Sequence, residues 1–408
     1  MNNLKLIKEG TFNKAINKNF VYEFNVEEKS IYAIEISARC KSWLQNTGRL
    51  ISFFKDDNLA IALNGLEFTK LSGKTGVFDG EAVWNGNKLK NLRQTNIFIS
   101  HLLPGKQNVG FTIKQKPFLE FIKIYQIETT ELNIKPEPGY QPENGNSRPY
   151  LVIIPAGIRV NKIKVSASAD KERGKDDQDL QIKIGGKIEL NSTAKSHKNW
   201  YWCGNVLKGE NKIFERNVNF VGGVHYIELW ADQNPQIGEL LLTLDPSERI
   251  PTIDDPLWTG DFNDDSDEIL LARMIFGESR NQSDEAKIWV GSTVLNRISS
   301  KSNAWPKTIK EVILQPKQYK AFENIEQNKK NFTQVINPLQ NPSNKNIWQT
   351  CFKISADLIL DKYKGLTTAT HFHSYETKRE IEYFEKNIIP NGKFLKKIGR
   401  IYFYWSPN

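Results

Sequence analysis

Glu278 is the carboxyl with the strongest claim to chemistry in this chain. It ends the run Leu271-Ala272-Arg273-Met274-Ile275-Phe276-Gly277-Glu278, which continues as Ser279-Arg280. The apolar residues recur at helical spacing, so Glu278 falls at a helix end beside Phe276 and Met274. A carboxyl placed there is partly desolvated. Desolvation disfavours the charged form and keeps the proton on nearer neutral pH, which is what a general acid needs. Gly277 can break the helix and let a substrate approach the backbone. A plainer reading is an ion pair of Glu278 with Arg273 or Arg280, and these residues alone favour it.

Other polar residues group less sharply. His371 and His373 stand two apart, so on a strand both face one side. No third ligand has convincing spacing, so no metal site is expected. A groove wall that hydrogen-bonds hydroxyl groups is the better use of the pair. Gln318, Tyr319 and Tyr375 suit the same role, with a structural role as the alternative. Glu323, Glu326 and Glu376 are candidates for a second acid, each also readable as a solvated surface charge. Asn296 and Arg297 end a helix, where buried scaffolding is their alternative to function. Cys40, Cys203 and Cys351 lie far apart, which argues against a metal cluster and against a disulfide framework.

The elements that must position these side chains lie in the last third. An apolar stripe of Ile269, Leu270, Met274 and Ile275 follows capping candidates at Asp264 to Asp267. Ser283 can cap a second helix that carries Gly291 and Ser292. Thr308 with Glu311 forms a capping box, and a longer helix is expected over Asn346 to Leu360. Thr368 to Phe372 and Ile398 to Trp405 are β-branched and aromatic, and are expected to pair as strands.

The first 245 residues read instead as short alternating strands ending at Gly, Asn, Asp or Pro. They contain a repeat. Asp56 to Gly65 matches Asp177 to Gly186, and Trp84-Asn85-Gly86 matches Trp202-Cys203-Gly204. The turns Leu103-Pro104-Gly105-Lys106 and Val221-Gly222-Gly223-Val224 also correspond. The expected fold is therefore multidomain: two antiparallel β-sandwich modules of jelly-roll type at 1–130 and 131–246, then an α+β domain at 260–408. A Pro- and Gly-rich stretch, Lys135 to Gly145, separates the two copies. Trp84, Trp200, Tyr201 and Trp202 are candidates for a sugar-stacking platform, although a core position is the commoner fate of any single Trp.

Bulk properties narrow the partner. A formal charge of +9 favours a polyanion. No zinc-finger, RNA-recognition or basic-helix signature is present, which makes an anionic wall polymer a better partner than nucleic acid. No apolar run approaches the ~20 residues of a membrane helix, so no membrane insertion is expected. The first residues show no apolar leader, so no signal peptide is expected either.

Six segments in order resemble the cell wall hydrolase family of spore-cortex-lytic (SleB-like) enzymes. Ala272 to Arg280 is similar to the family's Ala-Arg-x-Ile-Tyr-Gly-Glu-Ala-Arg. Val290-Gly291-Ser292-Thr293-Val294-Leu295-Asn296-Arg297 resembles Val-Gly-x-Val-Val-Leu-Asn-Arg. Trp305 to Ile313, Gln315-Pro316-Lys317-Gln318-Tyr319, Ala369-Thr370-His371-Phe372-His373-Ser374 and Ile398 to Tyr404 continue the likeness. Asn281-Gln282 departs from it, since the family has Gly-Glu there. The resemblance implies a lysozyme-like α+β domain without a cofactor, acting on the bacterial wall, in an extracellular, periplasmic or spore-cortex setting. It also implies that Glu278 is the catalytic acid/base, with peptidoglycan glycan strands as substrate. Hydrolytic glycosidases generally use two carboxylates. With one carboxyl the economical reaction is lytic transglycosylation, giving 1,6-anhydro-muramyl ends. The alternatives are a two-carboxylate muramidase or glucosaminidase, and a non-catalytic wall-binding protein.

Overall fold

The computed structural model describes residues 4–46, 55–68, 83–134, 148–172, 176–192, 197–220, 224–245, 250–301, 305–375 and 377–407. The side chains of residues 219 and 326 lie outside the description. So do the Pro- and Gly-rich stretch, the Gly222-Gly223 turn and Glu376. The chain divides into two compact units, Met1–Arg249 and Ile250–Asn408.

The first unit is rich in antiparallel sheet. Its first half contains β1 (Leu4–Ala15), β2 (Phe20–Val26), β3 (Ser30–Arg39), β4 (Asn58–Leu63), β5 (Leu66–Glu67) and β6 (Trp84–Asn85). One helical turn, α1 (Gly86–Leu89), leads to β7 (Arg93–Leu102), β8 (Gly105–Lys114) and β9 (Phe118–Ile127). The second half opens with β10 (Glu131–Ile134), β11 (Arg148–Ala156), β12 (Arg159–Ser168), β13 (Asp179–Ile184), β14 (Lys187–Ile188) and β15 (Trp202–Cys203). The turn α2 (Gly204–Leu207) then precedes β16 (Asn211–Phe220), β17 (Ile227–Asp232) and β18 (Gln236–Asp245).

The sequence repeat is a repeat of topology. In the first copy the strands are ordered β1-β9-β3-β7 in one sheet and β2-β8-β4-β5 in the other, with β6 on β4. In the second copy the orders are β10-β18-β12-β16 and β11-β17-β13-β14, with β15 on β13. These are the same orders shifted by nine strands. The copies also share a sheet: β7 pairs in parallel with β11, from Leu151↔Thr95 to Ala156↔Ser100. All nine residues of β11 are buried, which explains the uninterrupted Tyr150-Leu151-Val152-Ile153-Ile154. A strand covered on both faces has no polar side to alternate with. Ile31, Ala33, Ile97 and Ile99 of the first copy belong to the same core cluster as β12, β13 and β18 of the second.

Trp84 and Trp202 are fully buried and are not a sugar platform. Each sits on a two-residue strand, and its Nε1 donates to a backbone carbonyl, Gln94 at 2.7 Å and Lys212 at 2.8 Å. Each is followed by a glycine packed against backbone. A Cβ on Gly86 would lie 2.0 Å from the Lys41 carbonyl oxygen, and one on Gly204 2.2 Å from that of Asp170. The Trp-x-Gly signature is therefore a folding device, in which an indole fills the core and the glycine lets the next turn close over it. Trp200 and Tyr201 remain partly exposed, with Tyr201 packed edge-on to Trp202 and Phe214.

The second unit is mainly helical. Its helices are α3 (Asp267–Ser279), α4 (Asp284–Ser299), α5 (Ile309–Leu314), α6 (Lys329–Ile336), α7 (Lys345–Ile359) and α8 (Lys378–Tyr383). Three strands, β19 (His371–His373), β20 (Lys393–Ile398) and β21 (Ile401–Trp405), form a sheet ordered β19-β21-β20. The expected caps are found in part. Ser283 accepts from the Ala286 N–H and Thr308 from the Glu311 N–H. At α3 the cap is Ser266, inside the expected stretch Asp264 to Asp267, and it accepts from the Ile269 N–H. Helix α3 is the centre of the unit. Every residue from Ile269 to Phe276 is buried, and α4, α5, α6 and α7 pack around it. A helix apolar on all sides is one surrounded on all sides.

Candidate active site

Glu278 is the penultimate residue of α3, and the helix runs through Gly277 instead of breaking there. The glycine serves close packing. A Cβ at Gly277 would lie 2.5 Å from the Ala321 Cβ and 2.8 Å from the Val335 Cγ2. The turn after Tyr319 can thus lie flat on the end of α3. That contact brings the Ala321 N–H to 3.0 Å from Glu278 Oε1, to which it donates. Gly277→Ala should force Ala321 back and lengthen this bond. Turnover is expected to fall at least ~10-fold, since ångström misplacement costs about that much or more. Overpacking should also remove roughly 1–3 kcal/mol of stability. Steady-state kinetics and a thermal melt on the variant check both numbers.

Both ion pairs weighed from the sequence are spoken for elsewhere. Arg273 is fully buried with Asp265, to which its Nε donates at 2.7 Å. Its terminal nitrogens donate to the carbonyls of Val335 (2.7 Å) and Pro256 (2.5 Å). Arg280 donates to Asn331 Oδ1 at 3.3 Å and lies over the Phe276 ring at 5.0 Å. Among the described residues Glu278 has no salt bridge. Burial pushes the Glu278 carboxyl above the usual carboxylate range. The Ala321 N–H and the charge of Lys320 oppose that rise, and the charge of Glu323 adds to it.

The other expected site residues divide into those near Glu278 and those that brace it. Tyr319 is buried, and its hydroxyl accepts from an Arg297 Nη at 3.1 Å. Its phenol feels the charge of Glu278, which places it at the site as a wall rather than an open contact. Gln318 is partly exposed and its Oε1 accepts from the same Arg297 at 3.0 Å. Tyr375 is partly exposed, with Lys320 Nζ 6.0 Å above its ring. Lys320, which the sequence reading passed over, therefore stands between Glu278 and Tyr375. It follows Tyr319 directly, so the motif Gln315-Pro316-Lys317-Gln318-Tyr319 already pointed at its neighbourhood.

His371 and His373 are enclosed, in contrast to the expected groove wall. His371 Nδ1 lies 3.0 Å from Thr370 Oγ1, and the ring packs edge-on to Trp305. Burial, helped by the Arg297 charge, lowers its pKa to about 3, so the ring is neutral at working pH. His373 Nδ1 accepts from the Tyr375 N–H at 3.1 Å, and its ring stacks on Tyr375, Tyr402 and Tyr404. With Nδ1 accepting, Nε2 carries the proton and points to the Tyr404 hydroxyl at 3.3 Å, which in turn donates to Glu385 Oε1 at 2.9 Å. His373 thus anchors Tyr375. Asn296 and Arg297 do the same for the segment before β19: Asn296 Nδ2 donates to the carbonyls of Thr367 and Ala369, and Arg297 Nε to that of Thr370. No group of three or more potential metal ligands occurs among the described residues.

A cleft of about 310 Å³ opens beside Tyr319, lined also by Trp258, Asp261, Phe262, Phe322 and Glu323 among others; Glu278, Gln318 and Tyr375 are not among its lining residues. Tyr319 and Glu323, both electrostatically linked to Glu278, form part of its wall. The cleft offers aromatic faces and carboxylates together, a composition suited to a hydroxyl-rich ligand. Of the other candidate acids, Glu376 and the Glu326 side chain lie outside the described residues.

The cell wall hydrolase family model matches residues 281–404. The matched stretch lies wholly within the second unit. The match begins three residues beyond Glu278. No curated protein matches the chain. Among solved structures, the catalytic domain of the germination-specific lytic transglycosylase SleB from Bacillus anthracis is similar at 20% identity, over 34% of this chain and 92% of that one, with a TM-score of 0.23. The ANX2 ectodomain from Arabidopsis thaliana is similar at 9% identity, over 57% of this chain and 82% of that one, with a TM-score of 0.18. Latent PorU from Porphyromonas gingivalis is similar at 10% identity, over 58% of this chain and 21% of that one, with a TM-score of 0.18.

Proposed function

We propose that the SleB-like domain cuts the glycan strands of peptidoglycan, acting as a lytic transglycosylase with Glu278 as its one acid/base. The observation that carries this reading is the state of that carboxyl. It is partly exposed, raised in pKa by burial, free of salt bridges among the described residues, and held through Oε1 by one backbone N–H. That leaves Oε2 to carry the transferable proton. Glu278 gives it to the glycosidic oxygen as the bond to C1 of the muramic acid residue breaks. The carboxylate so formed is stabilised by the Ala321 N–H and by Lys320. It then takes the proton from the C6 hydroxyl, whose oxygen closes on C1. Acid and product sugar are both regenerated neutral, and no water is consumed.

Gln318 and Tyr375 are the proposed sugar contacts, each partly exposed and fixed in place by a buried partner, Arg297 and His373 respectively. Tyr319, His371 and His373 contribute as the buried wall behind them. A two-carboxylate hydrolysis is the second reading, and Glu323 favours it, since it lines the cleft and its charge reaches Glu278. Mass spectrometry of digested peptidoglycan separates the readings. Anhydro-muramyl ends are expected. Reducing ends would establish hydrolysis, and no released fragments would establish a wall-binding protein without activity.

The interleaved strand orders of the first unit support reading both copies as jelly-roll-like modules. We assign them to retention of the enzyme on the wall.

A further inference from the structure

The first copy of the repeat carries a charged cleft whose key side chains are not repeated at the matching positions of the second copy. It has a volume of about 500 Å³ and is lined by Arg39, Lys41, Arg93, Lys116, Asp57 and Glu120, with Phe118 alongside. Register fixes the comparison. Arg39 stands opposite Arg93 on β7 and Phe118 on β9. Ser168 takes its place in the second copy, opposite Asn211 on β16 and Gln236 on β18. Glu120 is the extra residue of a bulge between the partners of Ser37 and Ala38. Gly238 is the extra residue of the matching bulge between the partners of Ser166 and Ala167. A bulge re-aims a side chain, and only the first copy has one there to aim.

What Glu120 does is hold the two arginines in place. Its carboxylate takes Arg39 Nε at 2.5 Å and Arg93 Nε at 2.8 Å, with the Ser37 hydroxyl donating at 2.7 Å. Burial alone would raise this carboxyl, but the hydrogen bonds from Arg39 and Ser37 and the Arg93 charge keep it below the usual range. Asp57 is equally committed. It accepts the backbone N–H groups of Lys41 and Lys116, both at 3.1 Å, and the Asn46 amide. Both acids are thus used to shape the cleft. Among the described residues neither Lys41 nor Lys116 has an ion-pair partner, so the positive charge is in excess. Arg39 and Arg93 are both ion-paired to Glu120, and with Lys41 and Lys116 they gather four cationic side chains around one cleft, a setting suited to a planar or tetrahedral oxyanion.

We propose that this cleft is a binding site for an anionic glycan, taking a carboxylate or phosphate group between the two arginines and the two lysines. At the positions compared, Ser168, Asn211 and Gly238 stand where the first copy has Arg39, Arg93 and Glu120, so the repeated modules have diverged there. The test is pull-down of the full chain on purified cell-wall sacculi at low salt, with and without chemical removal of their phosphate-bearing polymers. Lys41→Gln/Lys116→Gln is expected to weaken binding about tenfold, the order expected from losing two charge contacts. Lys171→Gln/Lys208→Gln removes the same charge near the second copy and should change binding less than about twofold. Arg93→Gln is the stronger variant, and its melting temperature shows whether it is folded. Loss of binding on stripped sacculi identifies the phosphate as the anion, and retained binding identifies a sugar carboxylate. If the Lys41/Lys116 variant binds no worse than the Lys171/Lys208 control, or folded Arg93→Gln binds as the parent does, the proposal is overturned.

Discussion

Glu278→Gln is expected to lower turnover on peptidoglycan by roughly 10²–10⁴-fold, the usual contribution of a positioned general acid, while wall binding stays intact. The amide keeps the shape of the side chain, and its oxygen still accepts the Ala321 N–H that Oε1 accepts now. Only the transferable proton is lost. The same substitution should stabilise the fold. Burial raises the folded pKa of Glu278, so its contribution to stability is fully present below the unfolded pKa and is lost as pH rises through the folded one. At pH 7 the parent enzyme therefore carries a penalty that the amide does not. The variant should melt higher at neutral pH, and the gap should close below about pH 4, where an unfolded glutamate is protonated as well. Thermal melts of both proteins across pH, beside their turnover, read out the two halves. An inactive variant that is also less stable at neutral pH would point to a structural role.

Removing Arg273 is expected to be the most damaging single change to the second unit. The guanidinium and Asp265 are both fully buried, and the same side chain satisfies the carbonyls of Val335 and Pro256. It thereby ties α6 and the segment before α3 to the middle of α3. Arg273→Met leaves a buried carboxylate and two carbonyls without their donor, at a cost of about 3–5 kcal/mol. Adding Asp265→Asn removes the stranded charge and should recover part of that loss, though not the part due to the carbonyls. Denaturant titrations of the two single variants and the double variant measure this. An additive double variant would show that the pair is not coupled.

The sequence was legible where local rules act alone. Ser283 and Thr308 cap their helices, α7 lies within a residue of its expected span, and the matched segments around Trp84 and Trp202 share one topology. The departures have physical causes. Gly277 was read as a helix breaker, but its conformation stays helical. What needs a hydrogen in place of a methyl group there is Ala321, a contact 44 residues away in sequence that no window shows. Trp84 and Trp202 had the composition of a sugar platform, yet a short strand followed by a packed glycine directs them inward. The histidines at 371 and 373 do share one side of β19, as their spacing implied. Spacing does not say whether that side faces a ligand or a stack of tyrosines. Lys320 and the Ala321 N–H were invisible because a backbone donor has no signature and a lone lysine has too many uses. A formal charge of +9 names no position, and the cleft at Arg39 and Arg93 gathers part of it by joining strands distant in sequence.

The central claim is that Glu278 keeps its proton above the range of an ordinary glutamate. Carbon-13 labelling of glutamate side chains, with Glu278 assigned by its absence from the Glu278→Gln spectrum, allows that carboxyl to be titrated in the intact protein. A midpoint clearly above ~4.3, matching the basic limb on which turnover falls, is the predicted result. A midpoint at or below that value would contradict the account.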